Sequence, residues 1–179
     1  MYQLIHTGFI ILLSVILIEV ILKASWNHFY FTKAVTISKK TIEITDLEKA
    51  EKRINSFITQ MDKTDGFEKY KGIKAGEGLF FYRHKLITLS RNNSSGIHGT
   101  ISLDSENRCV TIKWNLNYSL LAMLIFFALF FISSIKTEGM IILLPFLIIL
   151  VFFAISIALE RSKFNRLVTE VKYLINRWY

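Results

Sequence analysis

The sequence predicts an integral membrane protein of the α+β class, in which three apolar helices accompany one small domain of antiparallel strands. The chain contains three nearly uncharged stretches of about 20 residues, the length that a helix needs to cross a hydrocarbon core. The segment between the first and second stretches changes to alternating, strand-like patterns. The composition is 52% hydrophobic with a mean hydropathy of +0.39, which is typical of a membrane protein that carries one polar module.

The three apolar stretches cover residues 4–22, 116–135 and 140–159. We expect each to be helical, because lipid offers no partner for unbonded backbone groups. A polar turn at 136–139 joins the second stretch to the third, and its charges place it at a membrane surface. Pro145 is expected to bend the third helix locally. Two core helices of a soluble protein are the alternative, but uncharged runs of this length are rare in soluble cores.

The first apolar stretch leaves two questions open. A secretory signal peptide would need basic residues before the apolar run, and residues 1–3 carry none, so a retained helix is favoured. Glu19 is a carboxylate within this stretch, which is typical of a proton or cation site in a membrane. The alternative is structural, since Lys23 follows one helical turn later and can form an ion pair with Glu19.

The distribution of basic residues predicts the orientation. Residues 23–115 contain 16 Lys and Arg against 10 Asp and Glu, and the tail 160–179 is also basic. The positive-inside rule places both segments in the cytoplasm, and residues 1–3 and the turn at 136–139 outside. Usage rich in Ile, Lys, Phe and Asn indicates a bacterial source, so the predicted location is the bacterial inner (cytoplasmic) membrane. Four aromatic residues are expected at the inner membrane interface: Trp26, Tyr30, Trp114 and Tyr118.

The cytoplasmic segment 23–115 is predicted to form one α+β domain with four to six antiparallel strands and one helix. Residues 34–44 alternate as one bent strand or as a hairpin that turns at Lys39-Lys40. A helix over 46–61 has a capping-box start and one apolar face. Period-two patterns then predict strands at 79–83, 86–90, 97–103 and 109–114, joined by short polar turns.

The tail 160–179 is predicted to be an amphipathic helix. Its apolar face consists of Phe164, Leu167, Val168, Val171, Leu174, Ile175 and Trp178. This face can lie in the membrane interface, pack on the sheet or bind a protein partner. Packing on the sheet is favoured, because the helix over 46–61 covers one face at most and leaves the other for the tail.

The sequence contains no recognisable catalytic, metal or cofactor motif. The histidines His6, His28, His84 and His98 lack metal-ligand spacing, and the lone Cys109 excludes an intrachain disulfide. Basic residues are interleaved with acidic ones, so nucleic-acid binding is not expected. The apolar stretches carry few polar groups near their middles, which argues against a transport pathway. No cofactor and no metal are therefore predicted.

Three functions remain as hypotheses. The first, which is preferred, is a non-enzymatic binding or accessory protein whose cytoplasmic module is held at the inner leaflet. Its partners would be the lipid bilayer and either another protein or a second copy of the chain. The second is a membrane-bound enzyme acting on a lipid or interfacial substrate, with His84, His98, Glu43 and Asp104 as candidates. The third is an immunity-type protein that binds a toxin within the membrane.

Overall fold

The computed structural model of the chain describes residues 2–64, 67, 70–84, 98–138 and 143–176. Within them, five α-helices accompany a five-stranded antiparallel sheet, so the predicted α+β class is confirmed. The helices are α1 (Tyr2–Ala24), α2 (His28–Lys33), α3 (Leu47–Thr59), α4 (Tyr118–Glu138) and α5 (Leu143–Asn176). The strands are β1 (Thr36–Glu43), β2 (Tyr70–Gly76), β3 (Leu79–His84), β4 (His98–Asp104) and β5 (Cys109–Asn115).

The strands are ordered β1-β5-β4-β3-β2, and all neighbours are antiparallel. The strands predicted at 79–83, 97–103 and 109–114 correspond to β3, β4 and β5. The segment 34–44 contains the single strand β1, and the hairpin alternative is wrong because Lys39 and Lys40 pair with Lys113 and Ile112 within the ladder. The strand predicted at 86–90 lies outside the described residues.

Strand β2 was not predicted from the sequence. It is an edge strand that pairs with β3, and it contains two glycines that weaken its strand pattern. Gly72 has a structural reason, because a Cβ at this position would lie 2.5 Å from Cγ2 of Ile58. The missing side chain therefore lets α3 pack closely on the sheet.

Helices α3 and α5 pack on the same face of the sheet, which we call the apolar face. The expectation that they cover opposite faces is wrong. A five-stranded sheet is about 19 Å wide at about 4.8 Å per strand, and a helix is about 10 Å across, so two helices fit side by side. The shared core includes Ile54, Ile58, Phe80, Tyr82, Ile101, Val110, Ile112, Trp114, Phe164, Leu167 and Val171.

The second face of the sheet is contacted by the short helix α2, and we call it the polar face. Tyr30 and Phe31 of α2 form a second buried cluster with Phe81 of β3. Phe31 stacks on Phe81 with ring centroids 4.8 Å apart. The sequence analysis missed α2, because six residues immediately after an apolar stretch show no helical period.

The two long C-terminal helices differ from the prediction at their ends. Helix α4 continues through residues 136–138, which were expected to form a turn. Helix α5 is continuous from Leu143, so the third apolar stretch and the amphipathic tail are one helix of 34 residues. Pro145 is the third residue of α5, and residues 139–142, which include the position four residues before it, lie outside the described residues. The local bend that was expected at Pro145 therefore stays a prediction.

Among the described residues, one helical segment, Thr7–Ala24, is long and apolar enough to cross a membrane by length and composition. Tyr118–Ile132 is a shorter apolar helical segment. The prediction of three membrane-spanning helices is therefore not confirmed.

Candidate functional site

The connection between α1 and α2 is a tight turn at Trp26. The N–H of Trp26 donates to the Lys23 carbonyl, and the N–H of Asn27 donates to the Leu22 carbonyl. This pattern is a Schellman motif, and its left-handed position is usually glycine. Trp26 adopts it with a φ of 53°. The indole ring is held by Arg83, whose guanidinium lies 4.5 Å from the ring centroid, and by stacking on Phe31.

The turn leads directly into α2. The side chain of Asn27 caps α2 by accepting a hydrogen bond from the Tyr30 N–H at 3.0 Å. The next residues point in different directions: Phe29 is exposed, whereas Tyr30 and Phe31 face the sheet and are buried. Local capping therefore directs the Tyr30 hydroxyl back toward α1.

Glu19 of α1 lies at the centre of a buried polar cluster. Its carboxylate accepts hydrogen bonds from the N–H groups of Tyr118 (2.9 Å) and Ser119 (2.6 Å), the first residues of α4, and from the Tyr30 hydroxyl. The first N–H groups of a helix lack internal acceptors and carry partial positive charge. Glu19 therefore satisfies the start of α4 and joins it to α1.

Lys23 completes the connection. Its ammonium lies 3.3 Å from the Glu19 carboxylate and donates to the Asn117 side chain at 2.8 Å. Two residues earlier, the Asn115 side chain donates to the Phe31 carbonyl at 2.7 Å. We call this set the junction: Glu19, Lys23, Tyr30, His98, Asn115 and Asn117.

His98 is the imidazole of the junction and is fully buried. It stacks on Tyr30 at 4.9 Å and meets the edge of Phe31 at 5.7 Å. Burial, reinforced by the positive charge of Lys23, lowers the pKa of His98 to about 3, so the ring is neutral at physiological pH. Burial and the negative charge of Glu19 raise the pKa of Tyr30, which therefore stays a hydrogen-bond donor.

The chemistry of the junction is that of a structural connection. Both oxygens of Glu19 are engaged by protein donors, and Lys23 is paired. The described residues contain no group of three or more His, Cys, Asp or Glu that could hold a metal ion. The expectation that Glu19 pairs with Lys23 agrees with this geometry, whereas its bonds to α4 were not foreseen.

The four predicted interface aromatics occupy different environments. Tyr30 is buried in the junction, and Trp26 and Tyr118 are half-buried beside it. Trp114 does not lie at an outer surface, because it is 2% exposed and packs on Phe164 in the core of the apolar face. Period-two alternation explains the difference, since Trp114 shares its face with Ile112 rather than with Asn115.

The apolar face of the tail lies against the sheet. Phe164, Leu167 and Val171 are completely buried, and the partly buried Val168, Leu174 and Ile175 pack against the same core. Trp178 lies outside the described residues. The end of α5 is also held by Arg53, whose guanidinium donates to the Leu174 carbonyl at 3.1 Å.

The candidate enzymatic residues do not converge. His98 lies opposite Arg83 and Asn115 at one end of the sheet, whereas Glu43 and Asp104 are both aligned with Cys109 at the other. The length of β4 between His98 and Asp104 corresponds to about 20 Å at about 3.3 Å per residue. Glu43 and Asp104 therefore share no site with His98, and the side chain of His84 lies outside the described residues.

The sequence analysis missed Tyr30, His98, Asn115 and Asn117 as members of the junction. Asn117 had a usable signal, because an asparagine directly before an apolar helix is a common N-cap, and its carbonyl accepts from the Leu120 N–H. The others depend on contacts between distant segments, which local patterns do not report.

No protein-family model matches the chain, and no curated protein or solved structure matches it. The function is therefore argued from the geometry alone.

Proposed function

We propose that the chain is a multi-pass protein of the bacterial inner membrane. In this proposal α1, α4 and the first half of α5 cross the bilayer, and the sheet with α3 and the second half of α5 stands on the cytoplasmic side. The N-terminus and the connection between α4 and α5 lie outside. The module acts as a non-enzymatic binding or accessory domain that is held at the inner leaflet.

The observation that carries this proposal is the position of the apolar side chains on these three helices. Large apolar residues are strongly exposed along each of them, including Ile10, Leu17, Leu129, Ile132, Val151, Phe152 and Ile155. Phe152 is 68% exposed. Such a surface would promote aggregation in water, but it is the expected surface of a helix in contact with lipid.

The carboxylates near the ends of the proposed spans have the reverse distribution. Glu19 and Glu160 are 3% and 2% exposed, although both belong to helices whose apolar side chains are exposed. Ionisable residues in membrane helices face the protein interior and pair there, as Glu19 does with Lys23. This arrangement supports contact with a bilayer.

The junction supports an anchoring role for the helices. It joins α1, α2, β5 and the start of α4 through buried hydrogen bonds, and β4 through the stacking of His98 on Tyr30. The sheet is therefore fixed to the apolar helices rather than tethered flexibly. A fixed module is suited to presenting a surface at a constant distance from the membrane. The separation of Glu43 and Asp104 from His98 favours this role over the enzymatic hypothesis.

Charge substitution on α5 tests the lipid contact. Phe152→Lys is expected to reduce the alkali-resistant membrane fraction strongly, since a charge at the centre of a membrane helix costs about 2.5–3.5 kcal/mol. Tyr173→Lys is the matched control, because Tyr173 is 54% exposed on the same helix but lies beyond the proposed span. Equal membrane fractions for the two variants would contradict the proposal.

Reporter fusions test the topology. A periplasmic reporter is expected to be active after residue 137 and inactive after residue 60 or at the C-terminus. The opposite pattern would overturn the orientation. The accessory role is tested by light scattering in mild detergent, where the protein mass of the particle, after subtraction of the bound detergent, is expected to exceed one 20.8 kDa chain. A homogeneous monomer without a partner would contradict that role.

A further inference from the structure

The polar face of the sheet carries two pairs of like charges. Lys39 of β1 lies directly opposite Lys113 of β5, and Lys71 of β2 lies directly opposite Arg83 of β3. Alternation places them on the polar face, because their ladder neighbours Ile112 and Tyr82 belong to the apolar core. We call these four residues the basic rows.

Like charges directly opposite each other destabilise a sheet. No carboxylate among the described residues lies within ion-pair distance of Lys39, Lys71 or Lys113. Among the strand lysines, Lys74 does pair with a carboxylate, Glu51, and it lies on the apolar side. Lys39, Lys71 and Lys113 thus concentrate positive charge that no carboxylate among the described residues neutralises, whereas Arg83 is buried against the Trp26 ring.

The acidic residues of the polar face are at the opposite end of the strands. Glu43 and Asp104 are aligned with Cys109, four residues from Lys113 along β5, or about 13 Å. Asp104 is also engaged by the side chain of Asn107 at 2.7 Å. Charge is therefore separated along the strands, with the cations toward the end where β5 continues into α4.

Exposed apolar residues lie beside the same end of the sheet. Phe29, Val35 and Ile37 are 73%, 56% and 40% exposed. The Val35 carbonyl accepts a hydrogen bond from the Leu116 N–H at 2.8 Å, which fixes Val35 next to the start of α4. Lys33, between these residues in the chain, is also exposed. Apolar side chains next to lysines are typical of surfaces that enter a lipid headgroup region.

We propose that the basic rows bind the headgroups of anionic phospholipids from the leaflet that surrounds the helices. Lys39 and Lys113 donate to the lipid phosphate, and Phe29, Val35 and Ile37 contact the boundary between headgroups and acyl chains. Lys113 is three residues, or about 10 Å, from Leu116 at the start of the proposed span. The headgroup region extends about 5–7 Å beyond the hydrocarbon core, so the Lys113 side chain can reach it. This inference rests on the proposed membrane anchoring.

The test uses the full chain in nanodiscs with equal amounts of phosphatidylglycerol and phosphatidylcholine. After transfer to mild detergent, the retained lipids are counted by mass spectrometry. The unmodified chain is expected to retain mainly phosphatidylglycerol. Lys39→Gln with Lys113→Gln is expected to lower this preference about 30-fold, because each lysine near an anionic surface contributes a factor of about five.

Two control variants separate site-specific binding from total charge. Lys49→Gln with Lys52→Gln removes the same charge from α3, where both lysines already have carboxylate partners, and should keep the preference. Lys39→Arg with Lys113→Arg keeps the positive charge and should therefore keep the preference for phosphatidylglycerol. In nanodiscs of phosphatidylcholine alone, the glutamine variant should unfold at the same temperature as the unmodified chain or higher, because the repulsion is removed.

Several results would overturn the inference. These are equal retention of the two lipids by the unmodified chain, an unchanged preference in the glutamine variant, or displacement of phosphatidylglycerol by inorganic phosphate alone. Alkaline extraction of the same membranes distinguishes the two proposals. A chain that resists extraction but shows no lipid preference is anchored without this site. A chain that is extracted refutes the anchoring and the site together.

Discussion

The two faces of the sheet differ in what their residues do. On the apolar face, Tyr82, Ile112 and Trp114 pack against two helices in one continuous core. On the polar face, the same strands present Arg83, Lys113 and Asn115. The helix α2, of only six residues, contacts that face.

This difference separates folding from connection. Burial of apolar area supplies most of the free energy of folding, and here it comes mainly from α3 and α5. The polar face contributes directed bonds, which fix the apolar helices relative to the sheet through the junction. We therefore expect substitutions on the apolar face to act through lost packing, and those on the polar face to act through unpaired charge.

The largest effect is expected for Phe164→Ala on the apolar face. Phe164 is completely buried and packs on Trp114, so truncation should lower the free energy of unfolding by about 3–5 kcal/mol. Phe152→Ala is the matched control, because Phe152 is exposed on the same helix. This substitution should lower the free energy of unfolding only slightly. Chemical unfolding in detergent measures both. Equal losses of stability would contradict the inference that the second half of α5 packs in the core while the first half does not.

Glu19→Gln tests the junction beside the polar face. It should lower the free energy of unfolding by about 3 kcal/mol, because it leaves Lys23 buried without its counterion. Combining it with Lys23→Met should recover part of this loss in a double-mutant cycle. Glu48→Gln removes the carboxylate of an exposed pair on α3 and should have little effect. If the stability loss of the double variant equals the sum of the two single losses, Glu19 and Lys23 do not interact and the junction is not a unit.

Gly99→Ala tests how closely the strands approach on the apolar side, with an expected loss of about 2–3 kcal/mol. A Cβ at Gly99 would overlap the Lys113 carbonyl oxygen and lie 2.8 Å from the Tyr82 hydroxyl, which donates to that oxygen. At Gly76 a Cβ would meet only Leu79 at 3.9 Å, so Gly76→Ala should be nearly neutral. A neutral Gly99→Ala would contradict the ladder of β4 with β5.

The smallest effect is the pH dependence that arises from His98. Since the pKa of His98 falls from 6.5 to about 3 on folding, the unfolded chain binds the extra proton between these values. Through His98, the free energy of unfolding is highest above pH 6.5. It falls by about 1.4 kcal/mol per pH unit as the pH drops below 6.5. His98→Phe should make the slope between pH 6 and 4.5 shallower by that amount. Identical slopes would contradict the burial of a neutral imidazole.

Local patterns predicted the elements that stabilise themselves locally. The amphipathic helix α3 was found, but the capping box read at Thr45-Asp46-Leu47-Glu48 begins one residue early. The N-cap is Asp46, whose carboxylate accepts from the Lys49 N–H at 3.0 Å. Strands β3, β4 and β5 were placed within one or two residues, because their alternation is strong. The buried side of the tail at Phe164, Leu167 and Val171 was also identified from spacing.

Features that depend on distant partners were missed. Strand β2 owes its formation to β3, and α2 owes its position to the sheet and α1. The apolar stripe of α5 indicated that the helix is buried on one side, but not which sheet face covers it. Similarly, Glu19 was paired with its neighbour Lys23, whereas its bonds to residues about 100 positions later have no local signal.

The continuity of α5 sets a rule for changes in its length. Among the α5 side chains that the structure describes, the buried ones are Phe153, Glu160, Phe164, Leu167 and Val171. At 100° per residue they fall within one narrow sector. An insertion of one residue before Phe164 would turn the following half by about 100° and direct its apolar stripe away from the sheet. Insertions of seven or eleven residues would restore the orientation to within about 20°. The length of α5 can therefore change without loss of its packing on the sheet only in steps of whole turns.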